Sequence, residues 1–125
     1  MKFVEKHKEC LYVVFRVLVG LLFLLHGVQK LPGILDGSNL FTLMGLAGII
    51  ETVGGALLVI GLWTKYVALI TAVEMLVAYF MAHAPNALSP LANKGEPALL
   101  FFAAFLVLLA YGPGKYSLDH QWLKK

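Results

Sequence analysis

Cysteine is almost absent from this 125-residue chain: Cys10 stands alone. An internal disulfide, a CxxC thiol pair, a cysteine-ligated iron–sulfur cluster and a covalently attached haem are all excluded. Charge is scarce as well, at 14% of residues, while hydrophobic residues make up 60% and the mean hydropathy is +0.82. That balance does not suit a soluble domain of this size and fits a polytopic membrane protein. No cleavable leader is expected either. The first apolar run follows lysines as a signal peptide would, but it carries Arg16 and His26 and ends at Leu31-Pro32-Gly33 without a small-x-small site. It is expected to stay in the mature protein.

What the chain has is long apolar stretches, four in all, approximately Leu11–Leu31, Met44–Trp63, Tyr66–His83 and Ala98–Tyr111. A spanning helix needs about 20 largely apolar residues. The fourth stretch is the shortest, about 21 Å at 1.5 Å per residue. The expected fold is an all-α membrane protein, a four-transmembrane-helix bundle forming one domain over residues 1–125. The formal net charge of +3 is read as topology, not as a nucleic-acid site. With the N-terminus in the cytoplasm, Lys2, Lys6, Lys8, Arg16, Lys65, Lys115, Lys124 and Lys125 fall inside, and Lys30 and Lys94 outside. This is the positive-inside pattern, and an even number of spans places both termini in the cytoplasm. Tyr12, Trp63, Tyr66, Tyr111, Tyr116 and Trp122 mark the same interface.

The connections are short and turn-rich. Residues 32–42 contain Pro-Gly and Asp-Gly, the second link is about Thr64-Lys65, and residues 84–96 hold Pro85, Pro90 and Gly95. Gly112-Pro113-Gly114 stops the last helix, and Asp119-His120-Gln121-Trp122 is expected along the inner surface.

Ionisable groups inside the apolar stretches set the functional question. Arg16, His26, Glu51 and Glu74 each cost at least a few kcal/mol in hydrocarbon unless paired or solvated, so each marks a pairing, a cavity or a site. Counted from the outer helix ends, His26 and Glu51 lie at a similar depth, with Lys30, His83, Asn93 and Glu96 near the outer rim. A buried carboxylate beside an imidazole shares a proton readily. Such a pair suits a two-proton carrier such as a quinone, with Phe41, Phe80, Phe101 and Phe102 as apolar walls. His26 and Glu51 are therefore the candidate catalytic pair, and Lys30, His83, Asn93 and Glu96 the candidate ligand-binding residues. The competing readings are a His26–Glu51 bond that only fixes helix register, axial haem ligation by His26 and His83, and a metal site. The last lacks a Glu-x-x-His spacing, and no metal is expected. Glu96 before Pro97 also reads as an ordinary acidic helix start.

Arg16, Glu74 and Asp119 read as structural polar residues, with Arg16 paired to Glu74 or Asp119. Glu74 and His83 are nine residues apart, about half a turn around a regular helix, so both face the interior only if the third span distorts or ends before Ala84-Pro85. Gly54 and Gly55 leave bare backbone beside Glu51, which favours a neighbouring helix pressing there.

The ordered pieces Arg16-Val-Leu-Val-Gly20, His26-Gly27-Val-Gln29-Lys30-Leu31, Glu51 with Gly54-Gly55, Gly61-Leu62-Trp63-Thr64-Lys65, Met75-Leu76-Val77-Ala78 with His83, Asn93-Lys94-Gly95-Glu96 and Gly112-Pro113-Gly114-Lys115-Tyr116-Ser117-Leu118-Asp119 cover nearly the whole chain. Together they resemble the DoxX family of small bacterial integral membrane proteins. Two residues depart from that pattern: Lys94 stands where a second glycine is usual, and Glu74 where an uncharged residue is expected. The resemblance implies four membrane helices in the bacterial cytoplasmic membrane and a link to redox chemistry, since a related subunit belongs to a thiosulfate:quinone oxidoreductase. The chain carries no cofactor motif of its own, so quinone is the expected ligand and a second redox subunit or a second copy the expected partner, beside membrane lipid. The alternative is a non-catalytic scaffold that docks a soluble redox or stress-response protein on its inner face.

Overall fold

In the computed structural model, which describes residues 1–123, helices supply 76% of the chain, and no strand occurs among the described residues. A short α1 (Lys2–Lys6) leads into α2 (Lys8–Val28). Then come a single-turn α3 (Leu31–Leu35), α4 (Leu43–Ile60), α5 (Thr64–Ala78) and α6 (Glu96–Tyr111). Among the described residues three helices are long and apolar enough to cross a membrane: α2, α4, and α5 with its continuation to Asn86. The fourth apolar helix, α6, is shorter.

The boundaries have local causes. The first span is displaced toward the N-terminus relative to expectation, beginning at Lys8 and ending at Val28. Pro32 is tolerated because it sits in the first turn of α3, where its missing N–H is not needed. Asp36 accepts a hydrogen bond from the Ser38 N–H at 2.9 Å, which holds this exposed carboxyl below the usual aspartate range. Thr42 caps α4 by accepting from the Gly45 N–H at 3.2 Å. Gly61 ends α4 with φ 74, a conformation natural to glycine, and Trp63 follows at φ 54.

The third span does distort. After Ala78 the helix widens into a π turn over Tyr79–His83, with the Ala84 N–H reaching back to the Tyr79 carbonyl, and tightens into a 3₁₀ turn over Ala84–Asn86. Pro85 offers no N–H to the preceding turn, and such irregular turns accommodate the loss.

The most extensive packing is α2 against α4, antiparallel, followed by α5 against α6. Glycine makes the first interface possible. A Cβ on Gly20 would meet the Val59 nitrogen at 2.8 Å and the Gly55 oxygen at 2.9 Å, and one on Gly55 would meet Leu24 Cα at 2.7 Å. Backbone therefore touches backbone, which small residues allow in membranes. The expectation that a helix presses on Gly55 holds: that helix is α2. Phe23, Leu58, Ala68, Ala72, Phe105 and Leu108 fill the core between the layers. Phe23 meets Phe105 edge-on, with ring centroids 4.8 Å apart.

Candidate functional site

Two polar clusters lie inside this apolar framework, one at each half of the bundle. At the end formed by the α2 start, the α4–α5 turn and the α6 end, Arg16 is 2% exposed. Its guanidinium donates to the carbonyls of Leu58 at 2.9 Å, Val59 at 3.3 Å, Tyr116 at 3.1 Å, and Pro113. Leu58 and Val59 belong to the last turn of α4, where unpaired carbonyls favour a cation. Asp119 does the converse for α5. Its carboxylate accepts from the N–H groups of Trp63 at 2.6 Å and Thr64 at 2.8 Å, while its own N–H donates to the Gly61 carbonyl at 2.9 Å.

The chain after α6 is thereby folded back over the α4–α5 turn. Tyr12 donates to the Gly112 carbonyl at 2.6 Å, and the Lys115 N–H donates to Glu9 at 3.1 Å. Gly61 must be glycine here for a second reason: an added Cβ would lie 2.5 Å from Ser117 Cβ and 3.0 Å from Arg16 Cζ. The expected pairing of Arg16 with Glu74 or Asp119 is not what the structure forms: both Arg16 and Asp119 bind backbone groups. Arg16 is hydrogen-bonded to backbone carbonyls, and the Asp119 carboxylate is spent on helix N–H groups. Glu74 lies elsewhere. Asp119 is itself buried at 4% exposure, and Trp122 just beyond it is exposed.

The second cluster sits deeper and toward the opposite end. Lys30 Nζ is 2.7 Å from Glu51 Oε1, the ion pair found among the described residues, and it also donates to the His26 carbonyl at 3.3 Å. Glu51 is 3% exposed. The lysine reaches it because Gly48, one turn before Glu51, leaves room for the Lys30 stem: a Cβ on Gly48 would lie 3.0 Å from Lys30 Cβ.

Glu74 belongs to this cluster and not with Arg16. Gly54, one turn after Glu51, faces Thr71, one turn before Glu74, with 3.2 Å between an added Gly54 Cβ and Thr71 Cγ2, so the antiparallel α4 and α5 turn the two glutamates to the same side. Both Glu74 oxygens are shut from solvent and receive no hydrogen bond. The sequence held a usable signal for this pairing. Glu51 lies ten residues before Gly61 and Glu74 ten after Thr64, so two antiparallel helices carry them about 15 Å from their shared turn, at one depth.

The expected His26–Glu51 hydrogen bond does not form, because Lys30 occupies that side of the carboxylate. His26 is exposed on the flank of α2, its ring edge-on to Phe101 with centroids 5.4 Å apart. Phe101 and Phe102 pack at the core margin, but Phe41 is 96% and Phe80 61% exposed, so these two wall nothing. A concavity of about 450 Å³ lies at the other end of the bundle, among Glu9, Lys65, Tyr111, Lys115 and His120.

His83 and Asn93 meet each other rather than Glu51. His83 Nδ1 is 3.2 Å from the Asn93 carbonyl. The Asn93 side chain donates to Tyr79 Oη and to the Ala87 carbonyl, both at 3.1 Å, and accepts from the Gly95 N–H at 2.8 Å. Asn93 is 3% exposed and ties the 87–95 loop to the third span. Lys94 adopts φ 62, a left-handed conformation that favours glycine. Glu96 opens α6 with Pro97 next to it and is exposed, in keeping with an acidic helix start. Among the described residues no three His, Cys, Asp or Glu side chains are placed to hold a metal ion.

Comparison with known proteins places the chain among bacterial membrane proteins. An uncharacterized protein of Haemophilus influenzae is 37% identical over the full length of both chains. The inner membrane protein YqjF of Escherichia coli is 29% identical, covering 97% of this chain and 98% of its own. An uncharacterized membrane protein of Mycobacterium tuberculosis is 30% identical over 90% of this chain and 82% of its own. No solved structure matches. The DoxX family profile matches residues 11–84, which contain Arg16, His26, Lys30, Glu51, Glu74 and His83, and the chain belongs to the DoxX family of membrane proteins.

Proposed function

We propose that this protein is a multi-pass component of the bacterial cytoplasmic membrane that binds a quinone beside Lys30, Glu51 and His26, as a subunit of a redox system. Four spans with both termini in the cytoplasm are the arrangement we assign. The distribution of lysines supports it: Lys8, Lys65 and Lys115 gather at the Arg16 end, whereas Lys30 and Lys94 lie at the other. Lys124 and Lys125, which the same pattern places inside, lie outside the described residues. Helix α6, about 24 Å long at 16 residues, is the fourth span. The Gly95 loop and the returning tail extend it toward both interfaces.

One observation carries the ligand reading. Glu51 is buried among apolar helices and its partner Lys30 is 22% exposed, while His26, whose carbonyl Lys30 touches, stands exposed on the flank of α2 against Phe101. A quinone ring arriving laterally from the bilayer meets an aromatic edge, an imidazole and an ammonium, and its carbonyl oxygens accept hydrogen bonds from the latter two. Its apolar tail stays in lipid, so no enclosed cavity is needed.

The test is quinone retention and quinone-dependent thermal stabilisation of the purified protein in lipid nanodiscs. Glu51→Gln and His26→Ala should each weaken both effects while the protein still inserts. Protein that carries no quinone and is not stabilised by added quinone removes the reading.

A second reading rests on the concavity at the Arg16 end, lined by Lys65, Lys115 and His120 with Glu9. There the protein is a scaffold for a soluble redox or stress-response partner. Loss of partner capture on substituting Lys65 and Lys115, with quinone retention unchanged, selects this reading over the first.

A further inference from the structure

The charges in the second cluster do not balance. Glu51 on α4 and Glu74 on α5 lie at one depth, one turn from Gly54 and Thr71, where the two helices face each other (a Cβ on Gly54 would lie 3.2 Å from Thr71 Cγ2), and the nearby cation, Lys30, is bonded to Glu51. Lys30 is committed to Glu51 Oε1 at 2.7 Å. Neither oxygen of Glu74 receives a donor or touches solvent. Among the described residues no other charged group is placed to balance them: α6 has no titratable group between Glu96 and Tyr111, Arg16 of α2 is spent on carbonyls at the other end, the His26 ring is turned onto Phe101, and the Tyr79 hydroxyl is bonded to Asn93. The Thr71 hydroxyl, one turn before Glu74, is spent on the Val67 carbonyl at 2.7 Å.

An ionised carboxylate without donors in an apolar interior costs several kcal/mol. Two facing carboxylates repel each other as well, and such pairs hold one proton between them. A proton on Glu74 resolves every item of this imbalance: it supplies the donor that Glu51 accepts, and it leaves one carboxylate for one ammonium.

We propose that Glu51 and Glu74 form an intramembrane proton-binding site, holding one proton between them with Lys30 as counter-ion. The site does not depend on the quinone reading, since the proton is required by the residues themselves.

A protonated carboxyl in an apolar setting reacts with apolar carbodiimides. The carboxyl O–H adds across one C=N bond, oxygen to carbon and hydrogen to nitrogen, and the O-acylisourea rearranges to a stable N-acylurea. No oxidant or leaving group is involved. The experiment treats the full-length protein in nanodiscs with dicyclohexylcarbodiimide and maps the adduct by peptide mass spectrometry. Infrared spectroscopy of the untreated protein follows the carbonyl stretch of a protonated carboxyl in parallel.

At neutral pH one adduct per chain on Glu74 or Glu51 is expected, together with a protonated-carboxyl band that shifts in D₂O. Both should fall by about tenfold per pH unit once the pair titrates. Glu74→Gln, nearly isosteric, should abolish band and adduct while the protein stays folded, since Gln supplies the same donor to Glu51. Glu51→Gln should also diminish both, because Glu74 then becomes the partner of Lys30. A wild-type protein with neither band nor adduct at neutral pH overturns the proposal. So does a band that persists unchanged in Glu74→Gln, or one that appears only when sodium is withdrawn, which would make a metal cation the missing charge.

Discussion

Replacing Arg16 by Ala removes a cation that holds three separate segments together: the end of α4, the Gly112-Pro113-Gly114 turn and the returning tail. Four carbonyls lose their donor. If each bond were worth no more than an average interhelical hydrogen bond in a membrane protein, about 0.6 kcal/mol, the loss would be about 2 kcal/mol. The bonds to Leu58 and Pro113 are buried, and hydrogen bonds to a charged group are worth about 1.5–3 kcal/mol each, so those two alone place the upper end near about 6 kcal/mol. Arg16→Lys keeps the charge but not the five-donor fork, and should lose roughly half as much. Unfolding by SDS titration in bicelles or by steric trapping measures the difference. Limited proteolysis should show residues 112–119 cut faster in Arg16→Ala. The same reasoning separates Arg16 from Glu74. Leu58, which Arg16 touches, lies seven residues from Glu51 along α4, about 10 Å. Arg16→Ala and Glu74→Gln should therefore be additive within about 0.5 kcal/mol. A loss below about 1 kcal/mol for Arg16→Ala, or a coupling above about 1 kcal/mol with Glu74→Gln, refutes this account of the clasp.

The α2–α4 interface should be as intolerant of small additions as the contacts imply. Gly55→Ala places a methyl against Leu24 backbone, which cannot rotate away, and is expected to cost about 1–3 kcal/mol in the same unfolding assay. An unchanged stability would mean that the helices lie further apart. Lys94→Gly should go the other way. The φ of 62 costs a residue with a Cβ about 1–2 kcal/mol, partly offset by glycine's greater freedom when unfolded, so a gain of about 0.5–1 kcal/mol is expected. A destabilised Lys94→Gly would show that the lysine side chain does something the loop needs.

The chain's order of apolar runs and turns was enough to read an all-helical membrane protein with antiparallel neighbours. Helix-length hydrophobicity and Gly/Pro punctuation act locally, and local rules can be applied to a string. The third span's irregularity was legible only as a condition, since Glu74 and His83 both face inward only if the helix distorts or ends before Ala84-Pro85, and the residue types do not choose between the two. The short α3 was not legible, because a single turn leaves no periodicity to detect.

Partner choice was a matter for the tertiary structure. Which donor reaches Glu51 depends on Gly48 making room for the Lys30 stem and on the rotation of α2, which turns His26 outward onto Phe101. Which groups meet Arg16 depends on a tail that returns across the α4–α5 turn, and backbone carbonyls have no letter in a sequence. The residue types marked Arg16, Glu51 and Glu74 as costly in hydrocarbon and so in need of partners. Only the packing of α2, α4 and α5 decided that Arg16 would be satisfied by carbonyls and that the two glutamates would face each other over one lysine.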